Sequence, residues 1–394
     1  MRLFFIQGGS RLKRDTDGNW YTDSNFNNDV WDRYKALCDE LVVVLRREEQ
    51  VYDPDYAKKH FSPVDETGMR LVDVPDLYSP VGNFFNLDLR RQVRDAIDEA
   101  VDACDKAIIR SAGNFYVTYA GERCRRAGKP YLSEVTGFIY EGLVEHGALG
   151  KLKAYPSEKA AKKLFAGASY ASYVTTEALQ KRYPCSGRTE ACSDVEIQSI
   201  AAGLADRRKP IDQETGITLG TTAALDVAWK GHSVATDAVS RLSTRGLEDI
   251  TYEFVGLGTG DAIRKAAREQ GVLDQVKFIG GLPHDRVFEW LDSIDIYVQP
   301  SFQEGLCRSI VEAMSRACPV IATDVGGNSE LIDHDWLVPA GDAEALADRI
   351  QRMIEHPELA AEQSRRNFEK ARAFDKKVLD AKREAFYREF VVHA

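Results

Sequence analysis

Apolar runs alternate with amphipathic segments through the first half of the chain. The run from Arg2 to Gln7 predicts a buried strand, and Gly8-Gly9-Ser10 predicts a turn directly after it. Further strand-like runs lie at 41–45, 107–109 and 131–135, between helical patterns at 89–103 and 117–127. Because strands alternate with helices, we expect a parallel sheet with helices on both faces. The polar segment 15–28 has no periodicity, and we expect a long loop there.

A second alternation begins near Ile217, after the charged stretch 206–216, which contains Pro210. Strand-like runs follow at 252–255, 276–279, 294–298 and 319–322, and the stretch 342–391 is helical apart from Pro357. The predicted class is therefore α/β, with two doubly wound, Rossmann-like domains facing each other across a cleft. We expect an N-terminal domain at 1–205, a linker at 206–216 and a C-terminal domain at 217–375, with a last helix at about 376–394 packing back on the first domain.

Length, net charge and cysteine content exclude some classes of function. The length of 394 residues suits two domains, and the net charge of −10 argues against a nucleic-acid partner. Seven scattered cysteines without a C-x-x-C pair indicate reduced thiols. No apolar stretch is long enough to span a bilayer, so we expect a cytoplasmic protein that at most touches the inner face of the membrane.

Two carboxylates, Glu304 and Glu312, follow the predicted strand 294–298. Eight residues along a helix span about 12 Å, which suits a sugar at one end of a ligand and a ribose at the other. Each carboxylate can accept hydrogen bonds from two hydroxyls, and the helix start between them offers N–H groups to a diphosphate. The alternative is that Glu304 caps the helix and Glu312 is a solvated or salt-bridged surface charge.

The segments around this pair resemble the retaining glycosyltransferases of family 4, also called group 1, which have the GT-B fold. Glu304 and Glu312 match the family's E-x₇-E signature, and the likeness is strong over about 217–355. The supporting segments are Phe254-Val-Gly-Leu-Gly258, Val276-Lys-Phe-Ile-Gly280, Asp295-Ile-Tyr-Val-Gln-Pro-Ser301, Cys318-Pro-Val-Ile-Ala-Thr-Asp324-Val-Gly-Gly327-Asn-Ser-Glu330-Leu-Ile332 and Val338-Pro-Ala-Gly-Asp342.

The resemblance implies roles for particular residues. Glu304 would contact the donor sugar, Glu312 the ribose, and Lys230 the diphosphate. The family's usual arginine is replaced by Gly220-Thr221-Thr222-Ala223, so we expect Thr221, Thr222, backbone amides or Arg308 to assist Lys230. The usual Glu-Gly-Phe-Gly becomes Glu304-Gly305-Leu306-Cys307, and we expect these residues at the donor as well.

Two further segments are expected near the donor. The turn Gly256-Leu-Gly258-Thr-Gly260 has the spacing G-x-G-x-G, which is a weak match to a dinucleotide fingerprint. We interpret it as a tight turn beside the donor. By resemblance, the nucleobase lies near Phe278 to Pro283.

In the N-terminal half, Gly8, Gly9 and Ser10 resemble a glycine-rich loop that lets acceptor and donor phosphate approach, and the alternative is a simple turn. The stretch after the central strand lacks the family's usual histidine, so Glu134 or Thr136 would face the cleft. The segment 151–165 is basic on one side and apolar on the other; contact with anionic lipid and a solvated helix face both stay open. The acidic pairs Asp53/Asp55 and Asp333/Asp335 imitate a metal motif, but the resemblance implies no metal and no other cofactor.

The sequence therefore predicts a hexosyltransferase that moves a sugar, with retention of configuration, from a UDP- or GDP-sugar to a glycan or lipid-linked acceptor in cell-envelope or exopolysaccharide synthesis. Two alternatives remain. One is a nucleotide-sugar epimerase or phosphorylase of the same fold. The other is a non-catalytic subunit that binds a sugar nucleotide.

Overall fold

The computed structural model describes residues 1–23, 26–145, 147–198, 200, 203–208 and 210–394. The chain forms two compact units. Unit 1 comprises Met1–Val174, Gln180–Cys192 and Arg383–Ala394, and unit 2 comprises Thr175–Leu179 and Ser193–Lys382.

Unit 1 is built on a sheet whose parallel strands follow the order β5-β3-β1-β6-β7-β8-β9. The short strand β2 pairs antiparallel with β1, and β4 pairs antiparallel with β2. The strands are β1 (Arg2–Asp15), β2 (Trp20–Thr22), β3 (Glu40–Tyr52), β4 (Ser62–Pro63), β5 (Met69–Pro75), β6 (Lys106–Arg110), β7 (Tyr131–Val135), β8 (Tyr170–Tyr173) and β9 (Arg188–Ala191). The helices are α1 (Asn28–Lys35), α2 (Pro54–His60), α3 (Leu87–Ala103), α4 (Phe115–Arg126), α5 (Ile139–Val144), α6 (Gly147–Ala166) and α7 (Ala178–Arg182).

The expected turn at Gly8–Ser10 is wrong, because these residues lie inside β1. The pairing of β1 with β3 shifts register between Ile6 and Arg11, which marks a bulge. The side chain of Gln7 accepts hydrogen bonds from the N–H groups of Gly9 (2.6 Å) and Ser10 (3.0 Å), which stabilises the bulge. The strand therefore continues through its polar half as far as Asp15.

The segment 15–28 is also more ordered than its composition indicates. It contains β2, and the side chain of Asn27 accepts a hydrogen bond from the N–H of Val30 to cap α1. Residues 24 and 25 lie outside the described part. The expectation of a long loop is wrong for the residues that form β2.

Unit 2 contains a six-stranded parallel sheet in the order β12-β11-β10-β13-β14-β15. Its strands are β10 (Ile217–Thr222), β11 (Ile250–Val255), β12 (Val276–Gly280), β13 (Ile296–Gln299), β14 (Val320–Thr323) and β15 (Leu337–Val338). The helices that follow α7 are α8 (Leu204–Arg207), α9 (His232–Thr244), α10 (Asp261–Glu269), α11 (His284–Ser293), α12 (Arg308–Ser315), α13 (Asn328–Leu331), α14 (Ala343–Glu355), α15 (Pro357–Ala371) and α16 (Lys376–His393). Short 3₁₀ helices lie at Val81–Phe85, Gln213–Thr215, Ala228–Lys230, Leu273–Gln275, His334–Trp336 and Arg372–Phe374.

This strand order reverses between β10 and β13, which is the doubly wound arrangement expected from the sequence. In such sheets a ligand binds outside the carboxyl ends of the strands at the reversal. The strands themselves are apolar on both faces, as buried parallel strands must be: Leu219, Phe254, Val298 and Ile321 are all fully buried or nearly so.

The division between the units lies upstream of the boundary that we expected at 205. Val195, Ile197 and Ile211 pack into the core of unit 2, so their segment belongs there. At the other end, the division falls within α16, between Lys382 and Arg383. Phe386, Tyr387 and Phe390 from the second part of α16 are buried in the core of unit 1.

Candidate functional site

A pocket opens at the strand reversal of unit 2. It brings together Lys230, Glu304, Arg308 and Glu312, which sequence analysis had assigned to one ligand. The residues that line it are Thr222, Ala223, Lys230, Val255, Gly256, Leu257, Gly281, Leu282, Val287, Glu304, Leu306, Cys307, Arg308, Ser309 and Glu312.

Lys230 and Glu304 form an ion pair in this pocket, with 2.7 Å between Nζ and Oε1. The side chains are 24% and 9% exposed, so water screens the pair only in part. Lys230 ends a 3₁₀ helix, and Gly231 follows with a φ of +73°. A Cβ at Gly231 would lie 1.8 Å from the carbonyl oxygen of Pro300. Only glycine therefore lets the Lys230 segment approach the loop that carries Glu304.

A chain of hydrogen bonds fixes the Glu304 carboxylate. Its Oε1 accepts from Ser301 Oγ at 2.7 Å and from Gln299 Nε2 at 3.3 Å. The fully buried Gln299 in turn accepts from the hydroxyls of Tyr297 (2.7 Å) and Ser309 (3.0 Å). The N-cap of α12 is Cys307, so the alternative interpretation of Glu304 as the helix cap is wrong.

The loop 304–305 also rests on a second glycine contact. Gly326 has a φ of +55°, and a Cβ there would lie 1.8 Å from the Glu304 carbonyl oxygen. Next to it, the N–H of Gly327 donates to the Gly305 carbonyl at 2.7 Å. Gly305 therefore supports the loop from behind and does not line the pocket.

Glu312 lies farther along α12 and is 6% exposed, so the interpretation of it as a surface charge is wrong. Its Oε1 accepts a hydrogen bond from His284 Nε2 at 3.0 Å. Sequence reasoning missed His284, because only the packing of α11 beside α12 brings the two residues together.

Arg308 is the first residue of α12 and is exposed at the pocket. Among the described residues it has neither a hydrogen-bond partner nor an ion-pair partner. No described side chain caps α12, so the helix presents its N-terminal N–H groups and the positive end of its dipole at the same place. The arrangement suits an anionic group such as a diphosphate.

Several predicted donor residues lie elsewhere. Thr221 is fully buried, donates to the Val298 carbonyl and pairs with the Tyr252 hydroxyl, each at 2.6 Å. Thr221 therefore stabilises the interior of the sheet and does not line the pocket. Thr222 does line the pocket, where its hydroxyl lies 3.1 Å from that of Tyr297.

The side chain of Asp226 holds the second half of the glycine turn 256–260. The carboxylate of Asp226 accepts from the N–H groups of Thr259 and Gly260, each at 2.9 Å, and these bonds lower the pKa of that carboxyl. The N–H groups of Thr259 and Gly260 therefore already have an acceptor. Gly256 and Leu257 line the pocket, whereas Gly258 does not.

Phe278 and Pro283 also lie outside the lining. The Phe278 ring packs 5.8 Å from the ring of Phe254, and the guanidinium of Arg264 lies 3.7 Å from its centroid. Pro283 immediately precedes α11. The pocket wall at this end is formed instead by Gly281 and Leu282.

Cys307 lines the pocket as a neutral thiol. It is buried, and burial together with the nearby Glu304 raises its pKa to about 12. A thiol with so high a pKa is not a nucleophile at neutral pH. Its neighbour Leu306 supplies an apolar wall.

The predicted acceptor residues of unit 1 are placed differently from our expectation. Glu134 is buried and accepts from the hydroxyls of Tyr34 (2.7 Å) and Tyr387 (2.6 Å) and from Arg110. Burial alone would raise the pKa of this carboxyl, but Arg110 and the two hydroxyls outweigh burial and lower it. Glu134 is thus enclosed in the unit, while Thr136 is half-buried just beyond the end of β7.

Comparison with known proteins indicates the family to which the C-terminal half is similar. The family described as "Glycosyl transferases group 1" matches residues 216–356. Protein CapJ of Staphylococcus aureus is 29% identical over 337 residues, covering 85% of this chain and 82% of CapJ. The amylovoran biosynthesis glycosyltransferase AmsK of Erwinia amylovora is 36% identical over 134 residues, which is about a third of each protein (32% and 33%).

Solved structures show the same fold. Sucrose-phosphate synthase from Thermosynechococcus elongatus aligns over 100% of both chains with a TM-score of 0.67 and 17% identity. HepE of Anabaena, solved in complex with UDP, aligns over 98% of this chain and 99% of HepE with a TM-score of 0.64 and 18% identity. The likeness establishes the GT-B fold. Residues 216–356 match the group 1 glycosyltransferases, and this match, with the named glycosyltransferase relatives, supports a sugar-transferring enzyme of that group.

Proposed function

We propose that this enzyme uses a nucleoside-diphosphate sugar, transfers the sugar with retention of configuration, and acts in the synthesis of a cell-envelope or extracellular polysaccharide. The observation that carries the proposal is the grouping of two cations, Lys230 and Arg308, with two carboxylates, Glu304 and Glu312, around one pocket at the strand reversal. Cations suit a diphosphate, and carboxylates suit the hydroxyls of a sugar and a ribose.

Each group has a distinct part in this proposal. Glu312 holds the ribose, and Glu304 receives hydroxyls of the donor sugar. When the bond between the anomeric carbon and the phosphate oxygen breaks, negative charge grows on the diphosphate. Lys230, Arg308 and the start of α12 stabilise that charge. The acceptor oxygen bonds to the anomeric carbon on the face that the phosphate leaves, and the acceptor hydroxyl passes its proton to the departing phosphate. Because fixed cations supply this stabilisation, we propose that the reaction needs no metal.

The ligands and names of similar proteins support the proposed sugar donor and the proposed class of polysaccharide synthesis. HepE has been solved with UDP and with UDP-glucose, so we propose a UDP- or GDP-sugar donor. AmsK and two proteins named WcaL bear names that refer to amylovoran and colanic acid biosynthesis, and LpsB to lipopolysaccharide core biosynthesis. We propose a glycan or lipid-linked acceptor of the same kind.

A screen of UDP, GDP and their sugars by thermal shift, with and without a chelator, tests the donor site. A ligand that binds only the folded protein raises its midpoint, so we expect one nucleotide to do so with the chelator present. Transfer to lipid and glycan acceptors, followed by NMR of the anomeric proton, then reports the stereochemistry. A new sugar isomer formed without acceptor would identify an epimerase. A requirement for inorganic phosphate would identify a phosphorylase, and binding without turnover a non-catalytic subunit.

Arg308→Ala should weaken the binding of UDP or GDP about tenfold or more, because a charge-assisted contact with phosphate is lost. The affinity for the matching nucleoside, which lacks phosphates, should stay unchanged. Isothermal titration measures both. Arg286→Ala is the matched control, since Arg286 is exposed on α11 and pairs with Glu289. An equal loss for nucleoside and nucleotide would contradict the assignment.

A second surface supports contact with a membrane. Leu152 and Tyr155 on α6 are 75% and 71% exposed, and Phe85 is 76% exposed. Lys153 lies 5.2 Å from the ring of Phe84, which joins α6 to the segment 81–85. Exposed apolar side chains beside lysines suit a bilayer that contains anionic lipid. No described helix is long and apolar enough to cross a membrane, so the proposed contact is peripheral.

Flotation with lipid vesicles tests this contact. We expect the protein to bind vesicles that contain phosphatidylglycerol. The double variant Leu152→Ser/Tyr155→Ser should bind them more weakly by about fivefold or more, because its two exposed apolar side chains no longer enter the interface. Val392→Ser is the control, since Val392 is 69% exposed on α16. Equal flotation of both variants would contradict a role for α6.

A further inference from the structure

Among the residues that the structure describes, one partner, His284, holds the carboxylate of Glu312. His284 Nε2 lies 3.0 Å from Oε1, and because a carboxylate oxygen only accepts, the histidine is the donor. The two side chains differ in exposure: that of Glu312 is 8% exposed and that of His284 is 60% exposed. His284 begins α11, and its ring packs edge-on against Phe288 with 5.0 Å between the centroids. Phe288 thus supports the histidine ring, and the ring donates its hydrogen bond to Glu312 on α12.

The other oxygen of Glu312, Oε2, accepts no hydrogen bond from the described residues, and it is not fully buried. Glu312 therefore offers one accessible oxygen to the pocket while the other is fixed. Beside it lie the apolar side chains of Val255, Leu282 and Val287, which can enclose a flat, uncharged group such as a base.

We infer that His284 is a positioning residue for the nucleoside: it fixes the Glu312 carboxylate so that Oε2 points at the ribose hydroxyls. The inference rests on the proposed function, in which Glu312 binds the ribose. Fixing the carboxylate in advance removes the cost of ordering it when the nucleotide binds. Without His284, the carboxylate would rotate among several orientations, and the ribose contact would weaken.

The experiment is isothermal titration of UDP and GDP into the full-length protein. His284→Ala should weaken the nucleotide that binds about tenfold, the scale expected for losing a hydrogen bond to a charged group. His284→Gln should restore affinity to within about threefold, because its amide Nε2 can donate to the same oxygen. The 2′,3′-dideoxy form of the nucleotide, which lacks the diol, should bind wild type and His284→Ala equally.

Glu312→Gln separates this inference from the proposed donor site. If His284 acts through Glu312, adding His284→Ala to Glu312→Gln should cause little further loss. Unchanged affinity in His284→Ala, or an equal loss for the dideoxy nucleotide, would overturn the inference while Glu312→Gln still weakened binding. Failure of the wild-type protein to bind any UDP or GDP would overturn the donor site, and the inference with it.

Discussion

Replacing Lys230 with alanine should lower turnover about a hundredfold or more. The expected size is that of losing one fixed group that stabilises charge in the transition state. Lys230 is suited to this role because its ammonium is held 2.7 Å from Glu304 in a partly buried pocket, where charge is poorly screened. Initial rates at saturating donor, with release of nucleoside diphosphate as the readout, measure the effect.

Lys265→Ala provides the matched control. Lys265 lies on α10, its side chain is 75% exposed, and it pairs with Glu269 on the same helix. We expect its turnover to equal that of the wild type. Near-normal turnover in Lys230→Ala would mean that Arg308 and the start of α12 carry the leaving-group charge alone. A drop in thermal midpoint in Lys230→Ala without nucleotide would indicate that the ion pair with Glu304 serves stability.

The second large effect concerns the fold of unit 1. Glu134→Leu should lower its free energy of unfolding by about 2–4 kcal/mol, because Arg110 and two buried tyrosine hydroxyls lose their common acceptor. Tyr387 comes from α16, so the variant should also loosen that helix. Hydrogen exchange resolved by segment measures both, with amides of unit 2 as the internal reference.

Glu384→Ala is the control for this prediction. Glu384 also lies on α16, where its exposed carboxylate pairs with Arg388 on the same helix, and an exposed pair contributes less than about 1 kcal/mol. We expect little change in the exchange of β7 or α16. Equal protection in Glu134→Leu and the wild type would contradict the assignment of Glu134 to the fold.

The sequence predicted that Glu304 and Glu312 lie close together, because a local pattern encodes their spacing. Glu304 and Glu312 lie on one loop and one short helix, so their spacing alone indicated a common ligand. Lys230 was reached through the family resemblance, and its contact with Glu304 depends on Gly231, whose close approach to Pro300 only the structure shows.

Other residues could not be placed because their environment is set by distant parts of the chain. Glu134 ends a strand just where a ligand-binding acid would, yet Tyr34 and Tyr387 enclose it. Asp226 occupies the amides that made the glycine turn look like a ligand loop. His284 and Glu312 meet only when α11 and α12 pack. A sequence pattern indicates spacing and polarity, but it does not indicate which distant residue donates or accepts a given hydrogen bond.

The division of α16 between the units has a consequence for synthesis on the ribosome. All of unit 2 is translated before residues 383–394, whereas unit 1 needs those residues for Phe386, Tyr387 and Phe390 to fill its core. The unit that starts first therefore finishes last. Until residues 383–394 have emerged, the nascent chain leaves the aromatic surface around Tyr34 and Tyr170 uncovered.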